Sequence, residues 1–278
     1  MAPSFQHSEI LNLGSDSSLK MVWNEVSDKY ILKTFSSTDK INAAFKKYRE
    51  LYYHLELQKC GLSSFEFKFL TESEPDQLYI KYIEDLQVFS EINDETRFAE
   101  LASYIKNLWQ LSNQNVSKYV DVENTLVTKE ISIYYDYILQ DIPRRKADPK
   151  YTELANQIIP KLSSSSQPLT LLHSDFHTNN IGYYKNSVLF FDSGQCPFLY
   201  GHKYHDLSRF IIQYYPEKII FEEEKVKPEM LLFEAMLQND LYSKEFLEFC
   251  FIQTLLVYNN PYLTRVKEIC QYLYSKLV

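Results

Sequence analysis

Apolar and polar positions alternate through the first part of the chain. Runs at Glu9 to Leu13, Leu19 to Glu25 and Lys29 to Phe35 are separated by Gly14-Ser-Asp-Ser-Ser and Val26-Ser-Asp, small polar breaks that read as turns, and together they predict an antiparallel meander. From about Thr38 the period becomes helical: Ile41, Ala44, Phe45, Tyr48, Leu51, Tyr52 and Leu55 fall on one stripe. Two more strands follow. Phe65, Phe67 and Phe69 alternate with Glu66 and Lys68, and Gln77 to Ile83 ends at the polar pair Glu84-Asp85. Strands, one helix, then strands predict a small α+β lobe.

From about Asn93 the character changes. Phe98, Leu101, Ile105, Leu108 and Trp109 mark a helix behind the polar cluster Asn93-Asp94-Glu95, and the rest reads as mainly helical. Pro228 and Pro261 each sit where a first helical turn tolerates a missing N–H, ahead of periodic stretches ending near Leu237 and Leu277. One β interruption is predicted: Ile181 to Tyr184 and Val188 to Phe191 flank Lys185-Asn186-Ser187 as the arms of a hairpin. Ser163 to Ser166 is a low-complexity surface loop, and no internal repeat is visible.

Composition narrows the function classes. With 278 residues and 45% hydrophobic content the chain can bury a substantial core. A formal charge of -8 argues against a nucleic-acid partner, which would need clustered Lys and Arg. No segment approaches the ~18 uninterrupted apolar residues of a membrane span, and the N-terminus lacks a secretory pattern, so no membrane partner is expected. Cys60, Cys196, Cys250 and Cys270 form no C-x-x-C pair; a reducing, cytoplasmic setting is the expectation. The 23 tyrosines are read chiefly as packing residues.

The chemistry is concentrated in Leu171-Leu-His-Ser-Asp-Phe-His-Thr-Asn-Asn-Ile-Gly and, beyond the hairpin, Phe190-Phe-Asp-Ser-Gly194. Phosphoryl transfer needs a group that orients the attacking hydroxyl, plus oxygen ligands for magnesium on the ATP phosphates. Asp175, Asn180 and Asp192 have the right types: one loop can present the first two, and the hairpin returns Asp192 to the same end.

These residues resemble the aminoglycoside phosphotransferase and choline kinase-like superfamily, whose catalytic loop runs H-x-D-x-x-x-x-N and whose metal-binding turn is D-x-G or D-x-E. Here the matching residues are His173, Asp175 and Asn180, then Asp192-Ser193-Gly194. The resemblance implies that Asp175 is the catalytic base, that Asn180 and Asp192 hold magnesium, and that His173 and Gly194 are structural. His205-Asp206-Leu207 resembles the family's Y-D-[IL] element, in which the Asp, here Asp206, braces the catalytic loop. It also implies a bilobal protein-kinase-like fold: an N-lobe over 1–86 with a five-stranded sheet and one main helix, and a mainly helical C-lobe over 87–278, with ATP between them.

In such a lobe Lys33 would contact the α/β-phosphates and a helix glutamate would orient it. Glu50 has the family's spacing, although it lies opposite the apolar stripe, and Glu56 is the alternative. Backbone groups near Tyr82 and Ile83 would hold adenine. The phosphate-covering loop offers only Gly14 before Ser15-Asp16-Ser17-Ser18, and Ser174 stands where Gly is common. The expected activity is Mg-ATP-dependent phosphorylation of a hydroxyl on a small molecule, such as an aminoglycoside, choline-like alcohol or sugar. An atypical protein kinase or a pseudokinase nucleotide-binding module are the alternatives. His177, the Glu222-Glu223-Glu224 run and Cys196 are read as a loop histidine, a solvated loop and an unreactive thiol.

Overall fold

Strand β1 (His7–Leu13), β2 (Ser17–Trp23) and β3 (Lys29–Phe35) form the meander, followed by helix α1 (Lys40–Lys59) and strands β4 (Phe67–Lys68) and β5 (Gln77–Lys81). These strands make one antiparallel sheet in the order β1-β2-β3-β5-β4. The structure is a computed structural model that describes residues 5, 7–13, 17–23, 28–36, 40–68, 74–111, 116–121, 123–164, 169–194, 196–224, 226–260 and 263–278. The Gly14 to Asp16 stretch expected to cover phosphates, Glu25, Phe69, Pro261 and part of the Ser163 to Ser166 tract lie outside the described residues. In β3 the side chains alternate, so Lys33 and Phe35 are buried while Thr34 between them is half-buried.

Three expectations for this lobe change in detail. Phe65 precedes β4 rather than lying in it. β5 ends at Lys81 rather than Ile83, although the Tyr82 N–H still donates to the Lys29 carbonyl at 3.1 Å. The apolar stripe of α1 is only partly buried: Ala44 and Leu51 are buried, but Phe45, Tyr48, Tyr52 and Leu55 are half-buried, while Lys47, Arg49, Glu50, Tyr53, His54 and Leu57 beside it are buried as well. The helix is wedged between sheet and C-lobe, and its polar side turns inward because partners await it there.

The C-lobe takes in β6 (Gln87–Val88), α2 (Glu95–Leu111), β7 (Val116–Val120), β8 (Leu126–Glu130), α3 (Ile131–Asp141) and α4 (Pro149–Ser164). Then come β9 (Leu169–Leu171), β10 (Ile181–Tyr184), β11 (Ser187–Phe190) and β12 (Tyr200–His202). Helices α5 (Tyr204–Tyr214), α6 (Pro216–Ile219), α7 (Leu231–Leu241), α8 (Lys244–Leu256) and α9 (Val266–Leu277) complete it.

The lobe is mainly helical but carries more β structure than one hairpin. β7 pairs with β8, β12 with β9, and β6 adds an edge to the β10–β11 hairpin. The β7–β8 turn is held by Asp121, whose carboxylate accepts from the backbone of Glu123 and Thr125 and from the Thr125 hydroxyl. The β10–β11 turn is one residue tighter than predicted: Lys185 and Asn186 both have positive φ, 45° and 60°, and make a two-residue hairpin turn, so β11 starts at Ser187. Pro228 opens a 3-10 turn over 228–230, and α7 runs past Leu237 to Leu241.

The main core fills the C-lobe, where Phe198, Phe210, Phe233, Phe246 and Phe249 are fully buried with Tyr134, Tyr200 and Tyr215. A second cluster of Phe35, Phe65, Leu78 and Ile80 includes Leu189 of β11, so apolar packing runs from the small sheet into the hairpin that carries Asp192. Among the described residues no helix is long and apolar enough to cross a membrane.

Candidate active site

The site is assembled from the C-lobe loop outward. After β9 the chain turns at Ser174, whose φ of +65° is uncommon for a residue with a side chain. That turn aims two successive N–H groups at one carboxylate: Asp206 accepts from His173 N at 2.6 Å and from Ser174 N at 2.8 Å. The His173 ring is buried and bridges the loop to β11, with Nε2 3.0 Å from the Phe191 carbonyl and Nδ1 accepting from Asp175 N at 3.4 Å. Burial drives its pKa down to about 4, so the ring is neutral and one tautomer satisfies both contacts.

Gly194 closes the other side. Its N–H donates to the His173 carbonyl at 2.8 Å, and a Cβ there would lie 2.6 Å from Ser174 Oγ and 2.7 Å from the Ser174 carbonyl oxygen. Only a residue without a side chain permits this approach.

Asp175 and Asn180 stand together at the loop's far end. The Asn180 amide Nδ2 lies 3.1 Å from Asp175 O, 3.3 Å from Asp175 Oδ2 and 3.3 Å from Asp192 O. With the nitrogen so engaged, Oδ1 is the atom left to ligate a cation. Asp192, at φ +61°, keeps its side chain 57% exposed and so open to a ligand.

Lys33 Nζ lies 2.5 Å from Glu50 Oε2 and 2.6 Å from Asp192 Oδ1. Burial alone would lower the lysine's pKa, but the Glu50 and Asp192 carboxylates outweigh it and raise it. Glu50 is pushed upward by burial and pulled down by Lys33, and a 2.5 Å contact to a charged lysine favours the ionised pair. Glu56 is not at this site. It binds Lys118 at 2.5 Å, Tyr200 OH at 2.6 Å and Lys59 at 2.7 Å, a buried anchor between α1 and the C-lobe.

A cavity of about 510 Å³ separates the sheet from the loop. Lys33, Glu50, Asn180 and Asp192 line one end, and Ile31, Ile80, Tyr82 and Ile83 line the rest. Apolar walls with a few polar groups at one end suit a flat ring joined to a charged tail. Because the Tyr82 N–H is spent on Lys29, Tyr82 offers its carbonyl rather than its N–H. A smaller adjoining pocket of about 230 Å³ is bounded by Asp175, Asp192, Ser174, Ser193 and Lys46.

Electrostatics divide the two aspartates near the loop. Burial would raise Asp175, but His177 and Arg209 outweigh it and hold it at about 2. Asp206 is carried by burial up to about 6 against the pull of the His173 and Ser174 N–H groups. Among the described residues no group of three or more His, Cys, Asp or Glu is assembled for a metal. Asn180 and Asp192 nonetheless fit magnesium as an oxygen pair whose remaining ligands would come from phosphates and water.

Two arginines that the sequence did not single out matter here. Arg49, fully buried beside Glu50, donates to the carbonyls of Cys196 at 2.7 Å, Leu172 at 2.6 Å and Phe198 at 3.3 Å, tying α1 to the loop's flanks. Arg209 Nη2 lies 3.0 Å from Asp175 Oδ1. Its only sequence signal is its place three residues after Asp206 on one helical face. His177 approaches Asp175 at 3.6 Å, Glu222 pairs with Lys276 of α9 at 2.5 Å, and burial lifts the Cys196 thiol to about 11.

No protein-family model matches the sequence, and no curated protein matches it significantly. Solved structures do. A thermostable mutant of aminoglycoside phosphotransferase APH(4)-Ia, in a ternary complex with AMP-PNP and hygromycin B, superposes with a TM-score of 0.65 at 13% identity, covering 98% of this chain and 94% of that one. The amicoumacin kinase hAmiN, in complex with AMP-PNP, Ca2+ and Ami, gives 0.60 at 14% identity over 96% and 87%. An ethanolamine kinase of Plasmodium vivax gives 0.59 at 12% identity over 98% and 82%. The chain therefore shares the bilobal kinase-like fold of these phosphotransferases and kinases, the fold that the resemblance of its catalytic-loop residues implied.

Proposed function

We propose that the protein transfers the γ-phosphoryl group of ATP to a hydroxyl of a small molecule. The observation that carries this reading is Lys33 held between Glu50 and Asp192 with Asn180 in the same cavity, and Asp175 in the adjoining pocket that Asp192 shares. Lys33 would bind the α/β-phosphates, the cavity beside Ile31, Ile80 and Ile83 would take the adenine, and Asn180 and Asp192 would hold magnesium. When bound there, the cation would supply positive charge that offsets the charge developing on the transferring phosphates. Amicoumacin kinase and the phosphotransferase are each complexed with AMP-PNP, the former with Ca2+, which supports a nucleotide and a divalent ion here.

In the reaction the bond from the γ-phosphorus to the β-γ bridging oxygen breaks, a bond from the acceptor oxygen to that phosphorus forms, and ADP leaves. The hydroxyl proton passes to Asp175. A carboxylate with a pKa of about 2 is a weak base, so its main contribution is to orient the hydroxyl for in-line attack. The small-molecule acceptor is supported by the names of the structural neighbours, an amicoumacin kinase, an aminoglycoside phosphotransferase and an ethanolamine kinase.

The test is ADP release from Mg-ATP with hygromycin B, ethanolamine or glucose added, in wild type and Asp175→Asn. Acceptor-stimulated release that the variant lacks supports the reading. Full activity in Asp175→Asn overturns it.

A further inference from the structure

We infer that Arg209 is the positioning residue for Asp175, an inference that rests on the phosphotransferase reading. Asp206 and Arg209 lie on one face of α5, three residues apart. Between them they grip three consecutive loop residues: Asp206 takes the backbone N–H groups of His173 and Ser174, and Arg209 takes the side chain of Asp175. One helical turn thus fixes both the path of the loop and the rotamer of its carboxylate.

The division of labour at Asp175 follows from its contacts. Arg209 occupies Oδ1 at 3.0 Å, and the Asn180 amide approaches Oδ2 at a longer 3.3 Å. Arg209 fastens Oδ1, Asn180 and His177 (at 3.6 Å) stand at Oδ2, and the side chain remains 35% exposed, so part of the carboxylate stays open to an incoming hydroxyl. Arg209 itself is only 9% exposed, its Nε is buried without a hydrogen-bond partner, and it does not border the small pocket beside Asp175. It therefore acts through Asp175 rather than on the acceptor. A guanidinium is suited to this because it stays charged when buried and presents donors in a rigid plane. The cost of burying its unpaired Nε–H is accepted at a place where the orientation of one carboxylate sets the rate.

The experiment uses the full chain and magnesium-dependent ATP hydrolysis, in which water is the attacking hydroxyl and no acceptor need be known. Arg209→Ala is expected to lower kcat about 100-fold, with the KM for ATP and the nucleotide-induced thermal shift unchanged. Guanidinium added at millimolar concentration restores at least about tenfold of that loss, because it refills the cavity and the ion pair. Arg209→Lys, which keeps the fold and the charge but loses the planar fork, is expected to fall about tenfold. A kcat within twofold of wild type in both variants overturns the inference and leaves the kinase reading intact. A loss that guanidinium does not restore, with the nucleotide shift lost in parallel, marks Arg209 as merely structural and also overturns it. A wild-type protein that neither hydrolyses nor is stabilised by Mg-ATP removes the kinase reading, and this inference with it.

Discussion

Lys33 and Asp192 are 159 residues apart in sequence, and their side chains meet at 2.6 Å, Nζ to Oδ1. With Glu50 at 2.5 Å on the other side, one buried ammonium joins the sheet, the helix α1 and the loop after β11. Arg49, the neighbour of Glu50, fixes the same helix to three C-lobe carbonyls, so the lysine's partner is registered against the segments flanking the Asp175 loop rather than against the sheet alone.

Removing the ammonium should leave Glu50 buried and unpaired. Lys33→Met is expected to lose about 3–5 kcal/mol of stability in urea denaturation, the cost of stranding one partner of a buried pair. Lys33→Met/Glu50→Met should recover much of that loss and remain inactive. A single variant as stable as wild type would show that the pair is not ionised.

Glu50 and Glu56 should separate cleanly. Glu50→Gln is expected to cut kcat/KM for ATP at least about tenfold, since Lys33 loses its orienting charge. Glu56→Gln weakens the contacts to Lys118, Lys59 and Tyr200 and should lower Tm while kcat stays near wild type. The reverse pattern in steady-state kinetics would restore Glu56 as the lysine's partner.

Gly194 should tolerate no side chain. A Cβ would stand 2.7 and 2.8 Å from the Ser174 carbonyl oxygen and carbon, backbone atoms that cannot swing away. Gly194→Ala is expected to cost about 1–3 kcal/mol and to displace the loop carrying Asp175, lowering kcat. Wild-type kcat and Tm in this variant would mean that the loop is looser than the structure shows.

Stability should fall on the acid side. Burial holds His54 and His205 at about 3 and His173 at about 4, below the unfolded value of 6.5. Below pH 6.5 the unfolded chain therefore binds protons that the folded chain refuses, and each such histidine removes up to about 1.4 kcal/mol per pH unit until its folded pKa is reached. Asp206, raised from 3.8 to about 6, works in the opposite direction between those values, when the folded state binds the extra proton, and offsets one histidine. Glu50, raised by burial, opposes in the same sense. The net expectation is a Tm that drops steadily from pH 6.5 to 4.5. A Tm that is flat over that range would contradict the neutral, buried histidines.

What the sequence revealed was what lies close along the chain. His173, Asp175 and Asn180 share one loop, and a single hairpin separates them from Asp192, so spacing alone could suggest that they meet. Arg209 and Arg49 were hidden because their roles depend on contacts across 34 and on the order of 123 residues, which no period of two or 3.6 encodes. The burial of the polar face of α1 escaped for a related reason: a stripe of Phe45, Tyr48 and Tyr52 marks apolar surface, but Arg49 and Glu50 are drawn in by partners on other elements. The β7–β8 hairpin was missed because its signal is short. Asp121 and Asn124 make the turn, but Val116 to Val120 and Leu126 to Glu130 do not alternate cleanly.

The most direct measurement is thermal stabilisation by AMP-PNP with and without magnesium, on wild type and Asp192→Ala. A ligand that binds only the folded state adds about 2.7 kcal/mol at 100 times its Kd, so wild type should show a magnesium-dependent rise in Tm that Asp192→Ala loses. A folded wild-type protein whose Tm does not move with nucleotide and magnesium would contradict the nucleotide site on which the account rests.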